Sequence, residues 1–344
     1  MRRFTLGFTL CLGLLLIFGA TSAQAQYSMT TLNSNQGTVV HNPDPLLVNG
    51  WGLVSSPTSP FWVSDEGSGW STLYNAQGVK QGLVVSIPTA GGNGPGMPTG
   101  IVWNGSTDFQ INGNNAPFIF ATLDGTIAGW SPAVNLNSAI TEAKVTGASY
   151  TGLAISAHAS GNMLYAADLA NNKVDVFNGS YQWVMSFTDT SLPAGFAPFG
   201  IQDFGGLLYV AFAAQNEGPG GYVDVFAEDG TLLKQVASGS PLNQPWGLAV
   251  APKNFGSLSN TLLVSNNTNS GTVNAFNAVT GQFVGTVKDT NGNAIKINQL
   301  WAIVFGSGAP NNGAANSLFF TAGPDNNKAG TFGVIKVAAA TTGD

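Results

Sequence analysis

Carboxylates are the main side chains available for chemistry in this chain of 344 residues, which has 17 Asp and Glu, two His and one Cys. Ca²⁺ takes about six to eight oxygen ligands, which carboxylates and neighbouring amides can supply. Because Asp also caps turns locally, turn formation is the alternative interpretation of the same residues. The candidate metal ligands, each following the second apolar run of a repeated segment, are Asp65, Glu66, Asp124, Asp168 and Asp325.

Carboxylates can also act as a catalytic pair. Asp65 and Asp325 belong to different repeats, and such groups can reach the separation that glycoside hydrolysis needs. Adjacent Asp65 and Glu66 are a poor pair, since neighbours on an extended backbone point to opposite sides. His41 and His158 lack sequence partners for a catalytic triad or a zinc site, so we assign both to structural or surface roles.

A second candidate site consists of aromatic and amide side chains at the start of the repeated segment. Aromatic rings offer contact area to a sugar, an aromatic ligand or a peptide with little loss of entropy. The alternative is that the rings fill the space between converging inner strands. The candidate ligand-binding residues are Trp51, Phe199, Trp246, Trp301, Gln244 and Asn266.

These residues recur because the chain contains six copies of one segment. Each copy opens with an aromatic residue or Thr before a small residue, at spacings of 48, 52, 48, 47 and 55, namely at Trp51, Thr99, Thr151, Phe199, Trp246 and Trp301. A second apolar run follows, then a polar turn, a third run such as Val174 to Phe177, and a fourth strand such as Leu232 to Val236. The third run alternates with period two, which is typical of a half-buried strand. Four strands in a repeat of about 50 residues predict an all-β, six-bladed β-propeller, since β-solenoids use much shorter repeats.

Composition agrees with this fold class. The 45 Gly and 17 Pro disfavour helices, and only 8% of residues are charged, so few helix-stabilising ion pairs are available. A hydrophobic fraction of 44% argues against disorder. The formal net charge of −6 argues against nucleic acid as a partner.

The two ends of the repeat region predict closure of a ring. The sixth copy supplies three strands, the last from Phe332 to Val337, and we expect Tyr27 to Leu32 to be its fourth strand. This pairing would remove open sheet edges. We therefore expect residues 26–344 to form a single propeller domain, as a monomer.

The first 25 residues have the pattern of a secretory signal peptide, with Gln26 as the mature start. The alternative, a membrane anchor, needs about 20 apolar residues, more than this segment has. Cleavage would remove the only two Arg and the only Cys, Cys11, leaving 9 Lys against 17 acidic residues and a net charge of −8. Without Cys, the mature chain excludes thiol catalysis, Cys-ligated zinc and iron–sulfur clusters. We expect a secreted or periplasmic protein with no membrane span after cleavage. The pattern is carried by Arg2, Arg3, Leu6 to Phe18, and Ala23 to Ala25.

The repeat resembles NHL-type repeats, and longer strings resemble a family of uncharacterised exported bacterial β-propeller proteins. The similarity covers nearly all of the chain after residue 25. It implies a propeller fold and export, and it carries over no activity. The strings are Asp44 to Gly52, Phe196 to Ile201, Pro241 to Leu248 and Phe320 to Asp325.

Two function classes fit these features, and whether the protein is an enzyme stays open. The first is a binding or scaffold module for a small molecule, a glycan or a protein on one rim. The second is a lactonase-like or glycan-cleaving hydrolase or lyase that uses Ca²⁺ or a carboxylate pair. A structural envelope or matrix protein is a third possibility. In every class the site lies where the first strands start and the second strands end, because both points fall on the same rim.

Overall fold

The structure, a computed structural model, describes residues 26–40, 43–92, 94–157 and 161–338. The predicted signal peptide, Cys11, His41 and His158 lie outside the described residues. Strands dominate the described part, and its one short 3₁₀ helix spans Gly256–Leu258. No helix among these residues is long and apolar enough to cross a bilayer.

The strands of the first three blades, together with β1, come first along the chain. They are β1 (Tyr27–Ser34), β2 (Gly50–Val54), β3 (Phe61–Asp65), β4 (Trp70–Tyr74), β5 (Lys80–Ser86), β6 (Pro98–Trp103), β7 (Gln110–Ile111), β8 (Asn114–Asn115), β9 (Phe118–Thr122), β10 (Thr126–Trp130), β11 (Ile140–Lys144), β12 (Tyr150–Ser156), β13 (Met163–Asp168), β14 (Lys173–Phe177) and β15 (Trp183–Phe187).

The remaining strands complete the other three blades. They are β16 (Phe196–Asp203), β17 (Leu207–Ala214), β18 (Tyr222–Ala227), β19 (Leu232–Ser238), β20 (Pro245–Val250), β21 (Leu262–Asn266), β22 (Val273–Phe276), β23 (Phe283–Thr286), β24 (Leu300–Phe305), β25 (Leu318–Ala322) and β26 (Thr331–Val337).

Six antiparallel four-stranded sheets confirm the predicted six-bladed propeller. Their strand orders are β2-β3-β4-β5, β6-β9-β10-β11, β12 to β15, β16 to β19, β20 to β23, and β24-β25-β26-β1. The first strand of each blade packs against that of the next, and β24 packs against β2, so the ring is closed. The small hairpin β7–β8 in the second blade was not predicted.

Strand β1 closes the ring as predicted, pairing with β26 from Tyr27↔Val337 to Ser34↔Thr331. It extends two residues beyond the predicted Leu32, because pairing resumes after a register shift and the Ser34 hydroxyl donates to the Gly330 carbonyl at 2.8 Å. The Tyr27 hydroxyl donates to the Phe255 carbonyl at 2.9 Å, which anchors the strand at its other end.

The third strands differ from the prediction of a half-buried strand. In β14, the apolar Val174 and Val176 are buried, and so is Asp175 between them. Each blade lies between two others in the ring, so both faces of its sheet are covered. The polar positions of the alternation are therefore buried and depend on partners within the protein.

Candidate functional site

The first strands come closest to one another at the small residue of each repeat, a level that we call the throat. A Cβ on Gly200 would overlap the Trp246 carbonyl oxygen, and one on Gly52 would overlap the Thr99 carbonyl oxygen. Neighbouring backbones are thus in direct contact, and a void of only about 30 Å³ remains. The throat residues are Gly52, Gly100, Gly152, Gly200, Gly247 and Ala302.

Buried hydroxyls fix the backbone just before the throat. The Thr151 hydroxyl donates to the Phe199 carbonyl of the next blade at 2.8 Å. The Ser265 hydroxyl donates to the Trp301 carbonyl of the next blade at 2.7 Å. These bonds between blades hold the residues that precede the throat in fixed positions, including the aromatic ones.

The four predicted aromatic residues form one cluster, which we call the aromatic plug: Trp51, Phe199, Trp246 and Trp301. Trp51 stacks on Trp301 with ring centroids 3.6 Å apart and an angle of 18°. Phe199 and Trp246 lie 5.7 Å and 6.0 Å from the Trp301 ring. Since all four are at least nine-tenths buried, the rings fill the space between the converging strands. Ligand binding by them stays a prediction.

The indole N–H groups of the plug differ in their partners. Trp301 donates to Asn49 Oδ1 at 2.8 Å, and Trp246 donates to the Thr151 carbonyl at 2.9 Å. The Nε1 of Trp51 is buried and has no partner among the described residues. One donor of the plug is therefore unsatisfied.

A depression of about 760 Å³, which we call the rim basin, lies on the side of the throat where the first strands start. Three plug residues line it, whereas Trp246 lines the throat instead. Amides and hydroxyls form most of its wall. The lining residues are Trp51, Leu123, Ser149, Thr151, Leu169, Phe199, Ala214, Gln215, Glu217, Pro219, Asn243, Gln244, Asn267, Thr268, Asn269, Ser270, Gln299, Trp301 and Asn327.

Hydrogen bonds between backbone groups hold the amide residues of this rim in place. Gln244 and Gln299, each two residues before a Trp, have left-handed φ values of 51° and 49°. Their carbonyls accept the N–H groups of Asn267 and Gly323, each at 2.9 Å, from the turn after the second strand. The predicted meeting of first-strand starts and second-strand ends on one rim is confirmed.

The amide nitrogens are used mainly to support the wall. Gln244 Nε2 donates to the Gly218 carbonyl at 2.7 Å, and Asn267 Nδ2 donates to the Leu300 carbonyl at 3.2 Å. The side-chain oxygens of these two residues accept no bond from the described part of the chain. Asn327 Oδ1 is also without a partner there, but it is enclosed by the protein. The acceptors that the basin presents are therefore the oxygens of Gln244 and Asn267.

Two of the six predicted ligand-binding residues lie away from the basin lining, Trp246 and Asn266. Asn266 instead supports the rim: its Nδ2 donates to the Pro241 carbonyl at 2.8 Å, and its Oδ1 accepts the Asn243 N–H at 3.1 Å. Sequence reasoning missed Asn327 as a lining residue. Its position in the turn after β25 was the available signal, but several neighbouring turn residues share it.

The predicted metal ligands serve separate turns. Asp168 accepts the Ser149 N–H at 3.0 Å and the Asn171 amide at 2.7 Å, and Asp124 accepts the Ala90 N–H at 2.7 Å. Asp325 has a left-handed φ of 58° in its turn. Within the described residues, no three His, Cys, Asp or Glu side chains converge to hold a metal ion.

Asp65 and Glu66 point to different partners. Glu66 Oε2 accepts from Asn49 Nδ2 at 2.8 Å, which links this carboxylate through Asn49 to the plug. Asp65 is fully buried and accepts from Thr72 at 2.7 Å. Burial raises the pKa of Asp65 well above its ordinary value, and the nearby Asp44 raises it further.

The pKa of Asp124 is lowered instead. Partial burial acts to raise it, but the hydrogen bonds from the Ala90 N–H and the Thr122 hydroxyl favour the charged form more strongly. Asp124 therefore acts as a charged cap for its turn. None of the five carboxylates is among the described residues that line the basin, and Glu217 is the one acidic residue of that set.

No family model matches the chain. The chain is 29% identical over 341 residues to an uncharacterized protein of Acanthamoeba polyphaga mimivirus, covering 92% of this chain and 82% of that protein. A second uncharacterized protein of the same virus is also 29% identical, over 92% of this chain and 88% of that protein. These relatives are viral, whereas the sequence resemblance implied a bacterial family.

Solved structures show the same fold at low sequence identity. A catalytically inactive virginiamycin B lyase from Staphylococcus aureus with quinupristin gives a TM-score of 0.54 at 11% identity, covering 91% of this chain and 100% of that one. Hydrazine synthase of Kuenenia stuttgartiensis gives 0.53 at 14% identity, covering 82% and 75% of the two chains. This likeness shows a propeller fold.

Proposed function

We propose that this protein is a binding module whose ligand site is the rim basin. Two basin-lining residues, Gln244 and Asn267, use their amide nitrogens within the wall and leave their side-chain oxygens without a partner in the described chain. Neither oxygen is enclosed by the protein, so both can accept a hydrogen bond from a ligand. This observation carries the proposal.

The ligand class that fits best is a neutral glycan. Amides and hydroxyls form most of the wall, aromatic rings form the floor, and Glu217 is the one charged residue among the described lining. Sugar hydroxyls can donate to the amide oxygens of Gln244 and Asn267. Binding then depends on directional hydrogen bonds and not on charge.

Titration calorimetry with a panel of neutral oligosaccharides tests the proposal. Asn267→Ala removes one of the two acceptors, and we expect it to weaken binding about tenfold, equivalent to about 1.4 kcal/mol. Gln244→Ala should have a similar effect. Asn114→Ala is the matched control, because it removes an amide from an exposed residue on β8 that lies outside the basin.

Two outcomes would contradict the proposal. The first is that no oligosaccharide binds to the folded protein. The second is that binding occurs but Asn267→Ala and Gln244→Ala leave the affinity unchanged, as Asn114→Ala does, which would place the ligand elsewhere.

The alternative of a Ca²⁺- or carboxylate-dependent hydrolase or lyase has weaker support. Catalysis on a glycosidic bond needs two carboxyl groups about 5–9.5 Å apart around the substrate. Glu217 is the single acidic residue of the described basin lining. If Ca²⁺ raised the melting temperature and EDTA lowered it, a metal-dependent version would regain support, because a ligand of the folded state stabilises that state.

We also propose that the protein is exported, to the periplasm or the exterior. The support is the pattern of the first 25 residues: two Arg, an apolar run and a small-residue cleavage site. The bacterial, exported family of the resemblance remains part of this proposal. Mass spectrometry of the protein from its native host should find Gln26 at the N-terminus, and an intact Met1 terminus would contradict export by cleavage.

A further inference from the structure

The end of the axis opposite the rim basin is apolar. Directly after each throat residue, every copy of the repeat has a Leu or an Ile, so a sixfold aliphatic ring surrounds the axis. All six are buried. The ring residues are Leu53, Ile101, Leu153, Ile201, Leu248 and Ile303.

Beyond this ring the first strands diverge around a second cavity of about 420 Å³, which we call the apolar mouth. Its volume lies within the range of roughly 300–1,000 Å³ that is typical of small-molecule sites. No charged residue of the described chain lines it. The lining residues are Leu53, Val54, Ser55, Ile101, Val102, Trp103, Ile155, Gln202, Phe204, Leu248, Ala249, Val250, Ile303, Val304 and Phe305.

Two polar side chains stand among these apolar ones. Gln202 is exposed and makes no side-chain hydrogen bond with the described residues. The Ser55 hydroxyl accepts from Asn312 Nδ2 at 3.3 Å, so its proton is available for donation. A few polar groups in a mainly apolar pocket are the usual means of orienting a bound small molecule.

The apolar mouth is separate from the rim basin. The throat between them holds a void of only about 30 Å³, and Trp246 of the plug lines that void. A molecule in the apolar mouth therefore meets a closed end at the aliphatic ring. A blind pocket of this size suits a compact molecule better than an extended peptide segment, which needs a groove open at both ends.

We propose that the apolar mouth is a second binding site, for a small uncharged apolar molecule with one or two hydrogen-bonding groups. The site does not depend on the proposed function of the rim basin. Its occupant would cover the partly exposed Val54, Trp103, Ile155 and Phe305, and Gln202 or Ser55 would bond its polar group.

Fluorescence titration with the neutral dye Nile red tests this site. We expect saturable binding of one dye per chain. Val250→Glu places a carboxylate in the mouth at a residue that is 46% exposed, and it should weaken binding at least tenfold. Val284→Glu is the matched control: it lies on β23 of the same blade, is 42% exposed and is outside the mouth, so binding should be unchanged.

A second variant, Val250→Thr, keeps the side-chain volume and should weaken binding about threefold, in case the Glu variant does not fold. Asn267→Ala in the rim basin should leave dye binding intact. The proposal fails if no saturable binding is seen, or if Val250→Glu and Val284→Glu have equal effects. It also fails if light scattering shows a dimer that Val250→Glu dissociates, since a second copy would then be the occupant.

Discussion

At the residue scale, the Val-Asp-Val-Phe motif of two third strands places its Asp in opposite electrostatic surroundings. Asp175 and Asp224 occupy equivalent positions on β14 and β18, and both are fully buried. Burial acts to raise the pKa of Asp175, but hydrogen bonds led by Lys173 outweigh it and lower the pKa. Burial followed by the neighbouring Asp189 raises the pKa of Asp224 to about 7, although Gln235 beside it acts in the opposite direction.

Asp224 should therefore make the protein less stable as the pH rises. Below about pH 4 the carboxyl is neutral in both folded and unfolded chains. Between about pH 4 and pH 7 the unfolded chain ionises first, so the free energy of unfolding falls by roughly 2–4 kcal/mol. Asp224→Asn should remove this decrease and raise stability at pH 7, as measured by urea unfolding from pH 4 to 8. Asn suits the position, because Asn274 occupies it on β22.

Asp175→Asn is the control for this measurement. It replaces a charged group held by Lys173 and Ser186 at 2.8 Å and 2.6 Å, so stability at pH 7 should fall. Equal pH dependence of stability in the wild type and in Asp224→Asn would contradict the assignment to Asp224.

At the element scale, the first strands depend on small residues at the throat. The backbones of neighbouring blades touch there. The residue before the throat accepts a hydrogen bond from a hydroxyl of a neighbouring blade at three of the aromatic positions, namely at the carbonyls of Trp51, Phe199 and Trp301. A side chain at the throat has to separate two first strands. This requirement explains why five of the six throat residues are Gly.

Gly200→Ala should accordingly destabilise the ring by about 3 kcal/mol or more, as overpacking of a core does. The added Cβ would overlap the Trp246 carbonyl oxygen, which is backbone and cannot move aside alone. Gly82→Ala on β5 is the control, since its Cβ would meet nothing within 4 Å. Urea unfolding of both variants measures the difference, and equal stabilities would show that the throat can expand.

At the scale of the whole molecule, a strand from the start of the described chain completes the last blade. Without β1, the edge of β26 would be exposed, and unpaired edges favour association between chains. The ring therefore joins residues about 300 positions apart, as in the pair Tyr27↔Val337. Because these residues are so far apart in the sequence, closure of the ring involves the entire propeller.

A variant lacking residues 26–34 should melt at least 10 °C below the intact chain and tend to aggregate, because blade six loses a strand. A synthetic peptide of residues 26–36 added in excess should raise the melting temperature again, because it can pair with the exposed edge of β26. A scrambled peptide of the same composition is the control. An unchanged melting temperature on deletion would show that β1 does not hold the ring closed.

The sequence alone determined the six-bladed propeller, its closing strand and the small residue near the start of each repeat. Each of these depends on residue type at a repeated position, and periodicity can be read without knowing the neighbours in space. The position of the rim was predictable for the same reason, because strand order places every first-strand start beside a second-strand end.

Only the tertiary structure decided which polar residues act together. Asn266 ends a second strand and Asn327 follows one, yet the first supports the rim and the other lines the basin. Asp175 and Asp224 share a motif, yet Lys173 lies beside one and Asp189 beside the other. The physical reason is that hydrogen bonding and pKa depend on distances of a few ångströms to groups from other blades, and those distances exist only once the ring has closed.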